Sequence, residues 1–315
     1  MPELPEVETI RRQLAPLVEG RRLTSLEILD PRWTRPLAPS ALVDALQGRR
    51  VEALSRRGKY LLWSFSGDVH LAQHLRMTGA VLADPDPEPP HTRVRMRLGA
   101  ASSPRRPRDA AAGAPTDRSR ARRLAIIDPR RFGTGELLLG SDAVERFFAA
   151  RLGLEPFDAR FTPAHLGALA RGRTAPIKAL LLDQRRIAGV GNIYADEALF
   201  RAAIHPLRSA GRLTRAQIER LRETVIEALS AGIEARGATI DDFRHVDGVR
   251  GSFQDRFLVH LREGEPCVRC GGPIVKLVVA GRGTYACERC QVRPRLLRRR
   301  AAPPAGRRRP RPAPR

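Results

Sequence analysis

Lysine is almost missing from this chain. Of its 57 basic residues only Lys59, Lys178 and Lys276 are lysine, and the other 54 are arginine. A chain so biased keeps a lysine where a compact ammonium that can give up its proton does what a guanidinium cannot. Cysteine is just as sparse, with four residues that all fall within the 24 positions from Cys267 to Cys290. A secreted disulfide scaffold spreads its cysteines, so a reducing compartment and a metal site fit better. No apolar run approaches the roughly 18 residues that read as a bilayer span. The acidic start MPELPEVETI lacks the basic and apolar regions of a signal peptide. Acid is scarce too: 34 Asp and Glu leave a formal charge of +23. That excess argues against an acidic or neutral binding module and points to a polyanionic partner, above all nucleic acid.

The positive charge is unevenly placed. Residues 291–315 carry ten Arg and no acid, and Ala101–Arg123 carries seven Arg against two Asp. Neither stretch has apolar periodicity, so both read as disordered, adding salt-sensitive, non-specific affinity for DNA.

The remaining sequence divides by texture. Val7, Ile10, Leu14, Leu17 and Val18 follow helical spacing and predict an amphipathic helix over 5–18. Short β-type runs follow at Leu23–Leu29, Val51–Leu54, Tyr60–Phe65, Val69–Leu75, Val94–Leu98, Leu124–Ile127 and Gly135–Leu139, with Leu82–Arg123 as a long hairpin excursion. Gly, Pro and Asp punctuate them, which predicts an antiparallel sandwich rather than βαβ units. Beyond Ser141 helices are expected at 142–151, 163–171, 176–184, 192–203 and 214–235, then a mobile Gly- and Asp-rich loop at 237–256 and a short strand at Phe257–Leu261. The expected fold is α+β: an N-terminal helix and β-sandwich over 1–140 with a basic insert at about 100–123, a helical domain over 141–262, a zinc finger over 263–291 and a basic tail over 292–315. A monomer is expected.

Cys267-x2-Cys270 and Cys287-x2-Cys290 are separated by sixteen residues containing a Gly271-Gly272-Pro273 turn and two hairpin strands. Four thiolates on two knuckles suit one closed tetrahedral Zn²⁺, which leaves no open position for catalysis. The hairpin tip Ala280–Gly283 carries Arg282 outward, either as a solvated charge or as a contact to a DNA groove or phosphate. At the other end of the chain, Met1 precedes a small residue, so removal of Met1 would leave Pro2 as a free secondary amine beside Glu3 and Glu6. Such an amine can attack an electrophilic sugar carbon if a nearby acid or base manages the protons. By itself the string better suits a plain Pro-rich helix entry whose acids favour the helix dipole.

Read whole, MPELPEVET resembles the N-terminus of the bacterial formamidopyrimidine-DNA glycosylases. The other motifs of that family follow in order: Arg57-Gly58-Lys59-Tyr60-Leu61-Leu62, His74-Leu75-Arg76-Met77-Thr78-Gly79, Asp128-Pro129-Arg130-Arg131-Phe132-Gly133, the string from Gly189 to Glu197, and Gly264-Glu265-Pro266-Cys267. The resemblance covers Met1 to about Gln291 apart from the basic insert. It implies a bifunctional glycosylase and abasic-site lyase of base excision repair, acting on oxidised purines in duplex DNA and located in the bacterial cytoplasm with the nucleoid.

Position by position, the resemblance implies Pro2 as nucleophile, Glu3 as acid/base partner, Glu6 as a supporting carboxylate and Lys59 in proton transfer during β-elimination. Arg282 matches the finger arginine linked to δ-elimination. His91, Arg130, Arg173 and Asn192 match DNA-holding positions, and Met77, Arg130 and Phe132 match the trio that fills the gap left by a flipped nucleotide. Cys267, Cys270, Cys287 and Cys290 would hold the zinc. Two features depart from the pattern: Asp241 stands where some relatives are basic, and His260-Leu261 replaces a common Tyr-Gly. They leave base preference open. The alternatives are an endonuclease VIII-like enzyme for oxidised pyrimidines, whose branch typically begins PEGPE where this chain has Leu4, and a silent DNA-binding relative, against which Pro2, Glu3 and Lys59 together argue.

Overall fold

The computed structural model describes residues 2–100, 120–240 and 246–294. Helix α1 (Leu4–Val18) opens the chain, capped where the Glu6 carboxylate accepts the Glu3 backbone N–H at 2.8 Å. Its Val7, Ile10, Leu14 and Val18 stripe joins the core of the first layer pair, whereas Leu4 belongs to a second core. The first helical turn is therefore buried between two hydrophobic bodies, and Pro2 and Glu3 are held at their junction.

The first body is a sandwich of two four-stranded antiparallel sheets. Strands β1 (Leu23–Ile28), β5 (Ala80–Ala83), β6 (Thr92–Leu98) and β7 (Arg122–Ile127) form one, in the order β1-β6-β7-β5. Strands β2 (Val51–Arg57), β3 (Tyr60–Phe65), β4 (Val69–His74) and β8 (Thr134–Leu139) form the other, in the order β2-β3-β4-β8. Between them pack Leu26, Val51, Trp63, Leu71, Val81, Val94 and Ile126. Helix α2 (Pro39–Leu46), with Pro at the favoured first position, covers an edge through Leu42 and Leu46.

The second body contains α4 (Pro163–Ala170), α5 (Ile177–Leu182), α6 (Asn192–Arg201) and α7 (Arg215–Glu234), reached through α3 (Ser141–Ala149). Helix α7 is the longest, and its capping box joins Thr214 and Gln217. Last comes the hairpin β9 (Val275–Val279) and β10 (Arg282–Ala286), joined by Ala280 and Gly281, both at positive φ as a tight primed turn requires.

The expected sandwich, the expected helices and the β9–β10 hairpin are present. Several expectations need correction. Phe257–Leu261 is not a strand: the buried Glu197 carboxylate accepts the backbone N–H groups of Leu258, Val259 and His260 at 3.0, 3.0 and 3.1 Å, gathering them into a turn that ends with Leu261 at φ 59°. Arg122 and Arg123 belong to β7 rather than to the insert, and Arg122 pairs with Asp84 at 2.6 Å. Arg282 is the first residue of β10, paired with Val279, and not a free tip. Of the loop over 237–256, Val246 is buried in the sandwich core and Phe253 in the helical core, where its ring stacks on Tyr194 at 5.2 Å. Helix α2 and strand β5 were absent from the sequence expectation. Residues 101–119 of the insert, Asp241 and the tail from 295 onward lie outside the described residues.

Candidate active site and nucleic-acid interface

Pro2 and Glu3 are buried where α1 meets the N-terminus of α6. Oxygen Oε1 of Glu3 accepts the Ile193 backbone N–H at 3.0 Å, so a carboxylate sits at a helix N-terminus, where the dipole favours negative charge. Its other oxygen is buried and has no hydrogen-bond partner among the described residues. The approach is close enough to require glycine. A Cβ at Gly191 would lie 2.2 Å from Glu3 Cδ, and one at Gly189, whose φ is 91°, would lie 2.4 Å from Leu4 Cδ1.

Glu6 is held more completely. Its Oε1 accepts the Tyr194 hydroxyl at 2.7 Å and the Ala238 N–H at 2.8 Å, while Oε2 caps Glu3. Burial raises its pKa above the usual carboxylate range and the Glu3 charge adds to the rise, against the donors that favour the ionised form. Glu6 therefore fixes the backbone of Glu3 and has no oxygen left for substrate.

Lys59 occupies the second position of the two-residue β2–β3 turn, after Gly58 at φ 58°. The turn is anchored by Glu155, which accepts the Gly58 N–H at 2.7 Å and pairs with Arg56 at 2.8 Å. Lys59 is buried, and that burial lowers its pKa. The charges of Glu3 and Glu6 oppose the shift, and Arg282 reinforces it. Two carboxylates, a lysine and an arginine from three distant segments thus share one electrostatic neighbourhood. Next to it His74 is pulled down to about 3 by burial, then by Arg76 and Lys59; it stays neutral and accepts the Arg76 N–H at 2.9 Å.

Arg282 is exposed on a hairpin that is hydrogen-bonded to the helical body. Asn192, the first residue of α6, donates to the Gly283 carbonyl at 2.9 Å. The fully buried Lys178 donates to Asp196 and to the Thr284 hydroxyl, each at 2.7 Å, and Asp196 also meets His260 Nδ1 at 2.8 Å. Behind the hairpin the four cysteine sulfurs lie within 4.8 Å of one another, with 3.8 Å between Cys267 and Cys290 and 3.5 Å between Cys270 and Cys287. Tetrahedral zinc with Zn–S of about 2.3 Å puts its sulfurs about 3.8 Å apart, so the donor set fits one zinc ion.

Met77 lies in the turn after β4, and Arg130 and Phe132 in the turn after β7. The Arg130 guanidinium stands 4.9 Å from the Phe132 ring centre, and Phe132 is 50% exposed, an apolar tip with no core of its own. His91 joins the same end of the sheet: its carbonyl accepts the Asp128 N–H at 3.1 Å. Arg173 stands apart, with contacts to Leu169, Ser209 and Gly211 inside the helical body. A concavity of about 740 Å³ between α4 and the start of α7 contains none of the residues proposed from sequence.

Sequence reasoning missed the supports: Tyr194, Ala238, Glu155, Glu197 and Asp196, together with Val246, whose N–H and C=O bond Gln13 and Ala83 of the first body. Tyr194, Asp196 and Glu197 lie in the Gly189–Glu197 string, which was itself the available signal. Ala238 and Val246 act through the backbone and leave no residue-type signature.

Comparison with known proteins agrees with this arrangement. Residues 1–135 match the formamidopyrimidine-DNA glycosylase N-terminal domain, 152–244 the H2TH domain of the same enzymes, and 264–292 a zinc finger found in these glycosylases and in isoleucyl-tRNA synthetases. A formamidopyrimidine-DNA glycosylase from Chloroflexus aurantiacus is 42% identical, covering 93% of this chain and 98% of its own length. The crystal structure of the MutM (Fpg) protein from Thermus thermophilus superposes with a TM-score of 0.78 at 41% identity, covering 92% of this chain and 98% of that one. The Lactococcus lactis protein in complex with DNA containing an abasic site superposes with a TM-score of 0.80 at 34% identity, covering 93% and 100%.

Proposed function

The chain belongs to the formamidopyrimidine-DNA glycosylase family, and on that premise we propose that Pro2, Glu3, Lys59 and Arg282 carry its chemistry. It is a DNA glycosylase and abasic-site lyase that removes oxidised purines from duplex DNA in base excision repair. The observation that carries the residue assignment is the buried, uncommitted oxygen of Glu3 next to Pro2, with Lys59 within the electrostatic reach of both Glu3 and Arg282.

Once Met1 is removed, the Pro2 nitrogen is a secondary amine whose lone pair attacks C1′ of the extruded nucleotide. The bond from C1′ to the base breaks, the base takes a proton from water, and the Pro2 N–H proton passes to the Glu3 carboxylate. Glu3 delivers a proton to the ring oxygen O4′, the sugar opens, and the amine becomes an iminium at C1′. That cation acidifies the C2′ proton. Lys59, its pKa lowered by burial, spends more time as a free amine than a surface lysine and takes that proton as the 3′ phosphate departs. A second elimination expels the 5′ phosphate, with Arg282 placed to neutralise the departing anion, and water then frees Pro2.

Cys267, Cys270, Cys287 and Cys290 would hold zinc, which supplies no chemistry beyond stiffening the module that presents Arg282. His91, Arg130, Arg173 and Asn192 hold the DNA, and Met77, Arg130 and Phe132 fill the vacated stack. The division at residues 140, 262 and 291 follows these roles. The enzyme works as a monomer in the bacterial cytoplasm, associated with the nucleoid. No helix among the described residues is long and apolar enough to cross a membrane.

Borohydride trapping of untagged protein tests the assignment, using a duplex with 8-oxoguanine opposite cytosine and, as control, protein with a tag left ahead of Pro2, which turns its nitrogen into an amide. A covalent complex that requires the free Pro2 amine is expected. Undiminished trapping by the tagged protein would refute the nucleophile. The panel includes an oxidised pyrimidine, because the Lactococcus lactis relative has been solved with DNA containing one; trapping confined to that substrate would move the protein to the other branch.

A further inference from the structure

The two turns that carry the void-filling side chains come from different parts of the chain, and one carboxylate fastens them together. Asp128 is 2% exposed. Its Oδ1 accepts the Thr78 hydroxyl at 2.6 Å, reaching the turn that holds Met77. Its Oδ2 accepts the Gly133 N–H at 2.6 Å, closing the turn that holds Arg130 and Phe132. The Thr78 oxygen in turn accepts the Arg130 N–H at 3.4 Å.

Both turns resist their shape. Arg76 and Arg131 have φ of 56° and 61°, a region that side-chain-bearing residues rarely occupy and that is kept only where surrounding bonds hold it. Arg131 is further tied by two hydrogen bonds to the buried Asp30, at 2.6 and 3.0 Å. Without Asp128, Thr78 and Gly133 would lose their acceptor. Between the Met77 turn and the Arg130–Phe132 turn there would remain the long bond from Arg130 to Thr78.

We propose that Asp128 is a positioning residue, coupling Met77 to Arg130 and Phe132 so that the three enter the DNA stack as one preorganised wedge. The inference rests on the void-filling role proposed for that trio. Extruding a base costs unstacking energy at each step, and a wedge that must first assemble its own geometry adds an ordering cost to the same barrier. Asp128 is buried with both oxygens bonded to the two turns, so its effect falls on extrusion and not on the bond changes at C1′.

The test is stopped-flow fluorescence of 2-aminopurine placed beside 8-oxoguanine in a duplex, run with Asp128→Asn, Thr78→Val, Thr78→Ser, Met77→Ala and Phe132→Ala. Borohydride trapping on a single-stranded abasic oligonucleotide, which has no stack to open, is measured in parallel. Asp128→Asn and Thr78→Val are expected to slow the insertion phase by about 10²-fold, the scale of a misplaced positioning group, and to trap the single strand as the parent does. Thr78→Ser, which keeps the hydroxyl, is expected to retain the parent insertion rate.

Parent-like insertion in Asp128→Asn and Thr78→Val, with slow insertion in Met77→Ala and Phe132→Ala, would overturn the clasp and leave the wedge standing. Parent-like insertion in Met77→Ala and Phe132→Ala would remove the wedge itself, and the clasp with it. Should Asp128→Asn fail to fold, Thr78→Val keeps the bond from Gly133 to Asp128 and decides the matter alone.

Discussion

Glu3 and Ile193 are 190 positions apart, yet the carboxylate of the first accepts the backbone N–H of the second at 3.0 Å. The bond aligns the chain terminus with the start of α6, so the nucleophile proposed at Pro2 depends on a helix of the other body. It also explains the glycine at 191, because any side chain there would occupy the space of the Glu3 carboxyl.

Gly191→Ala is therefore expected to displace Glu3 and to lower single-turnover excision by about 10²-fold or more, the usual range for a lost general acid. The Pro2 amine would still trap preformed abasic sites. Excision at the parent rate, measured on 8-oxoguanine duplex, would show that Glu3 is not the proton donor.

With Lys59 as the proposed base, the charges around it give an expected pH dependence of strand cleavage. Burial and Arg282 lower its pKa, so the free amine appears at lower pH than for an ordinary lysine. Abasic-site cleavage should rise with pH and level off below the usual lysine value of about 10.4. Arg282→Gln removes a repelling cation, so the inflection should move up; Glu3→Gln removes an attracting anion, so it should move down. A pH–rate profile of lyase activity separates these shifts from any drop in maximal rate.

Glu197 is fully buried and accepts three backbone N–H groups as well as the Arg201 guanidinium at 2.9 Å. Glu197→Ala strips acceptors from buried donors and should cost about 3 kcal/mol or more. Thermal unfolding should show a lowered Tm, and the turn over 257–261 should lose amide protection first. An unchanged Tm would contradict the assigned role of that carboxylate.

Chelation should release one zinc per chain and weaken duplex binding, because β10 and Arg282 are fixed by the cysteine knuckles on one side and Lys178 on the other. Metal stoichiometry read with a colorimetric chelator, followed by DNA titration before and after, checks both parts.

Deleting residues 293–315 removes ten arginines. The slope of log affinity against log salt for undamaged duplex should flatten by about 0.9 for each phosphate that the tail neutralises, with single-turnover excision little changed. Equal slopes for the two proteins would count against a role of the tail in DNA affinity.

Much of the architecture is legible in the sequence where a local rule decides it. The periodicity of Val7, Ile10, Leu14 and Val18 marks α1, and two CxxC pairs mark the metal site, because side-chain spacing alone determines which face is apolar or which sulfurs can meet. Helix α2 was missed although Pro39 and the Leu42–Leu46 spacing announce it, since it sits among β-type runs and spans only two turns. Phe257–Leu261 reads as a strand by composition, but the strand has no partner and Glu197 offers its N–H groups a better one.

By itself the sequence determined the chemistry available: a proline at position 2 with acids beside it, a lysine retained in an arginine-rich chain, four clustered thiols and a large positive charge. Only the tertiary structure decided which of these meet. That Glu6 is consumed by Tyr194 and Ala238 while Glu3 keeps a free oxygen, and that Lys59 shares a field with Arg282 more than 200 residues away, follow from how two cores pack around α1. The physical reason is that protonation and reactivity depend on burial and on neighbouring charge, both set by long-range packing and not by residue type.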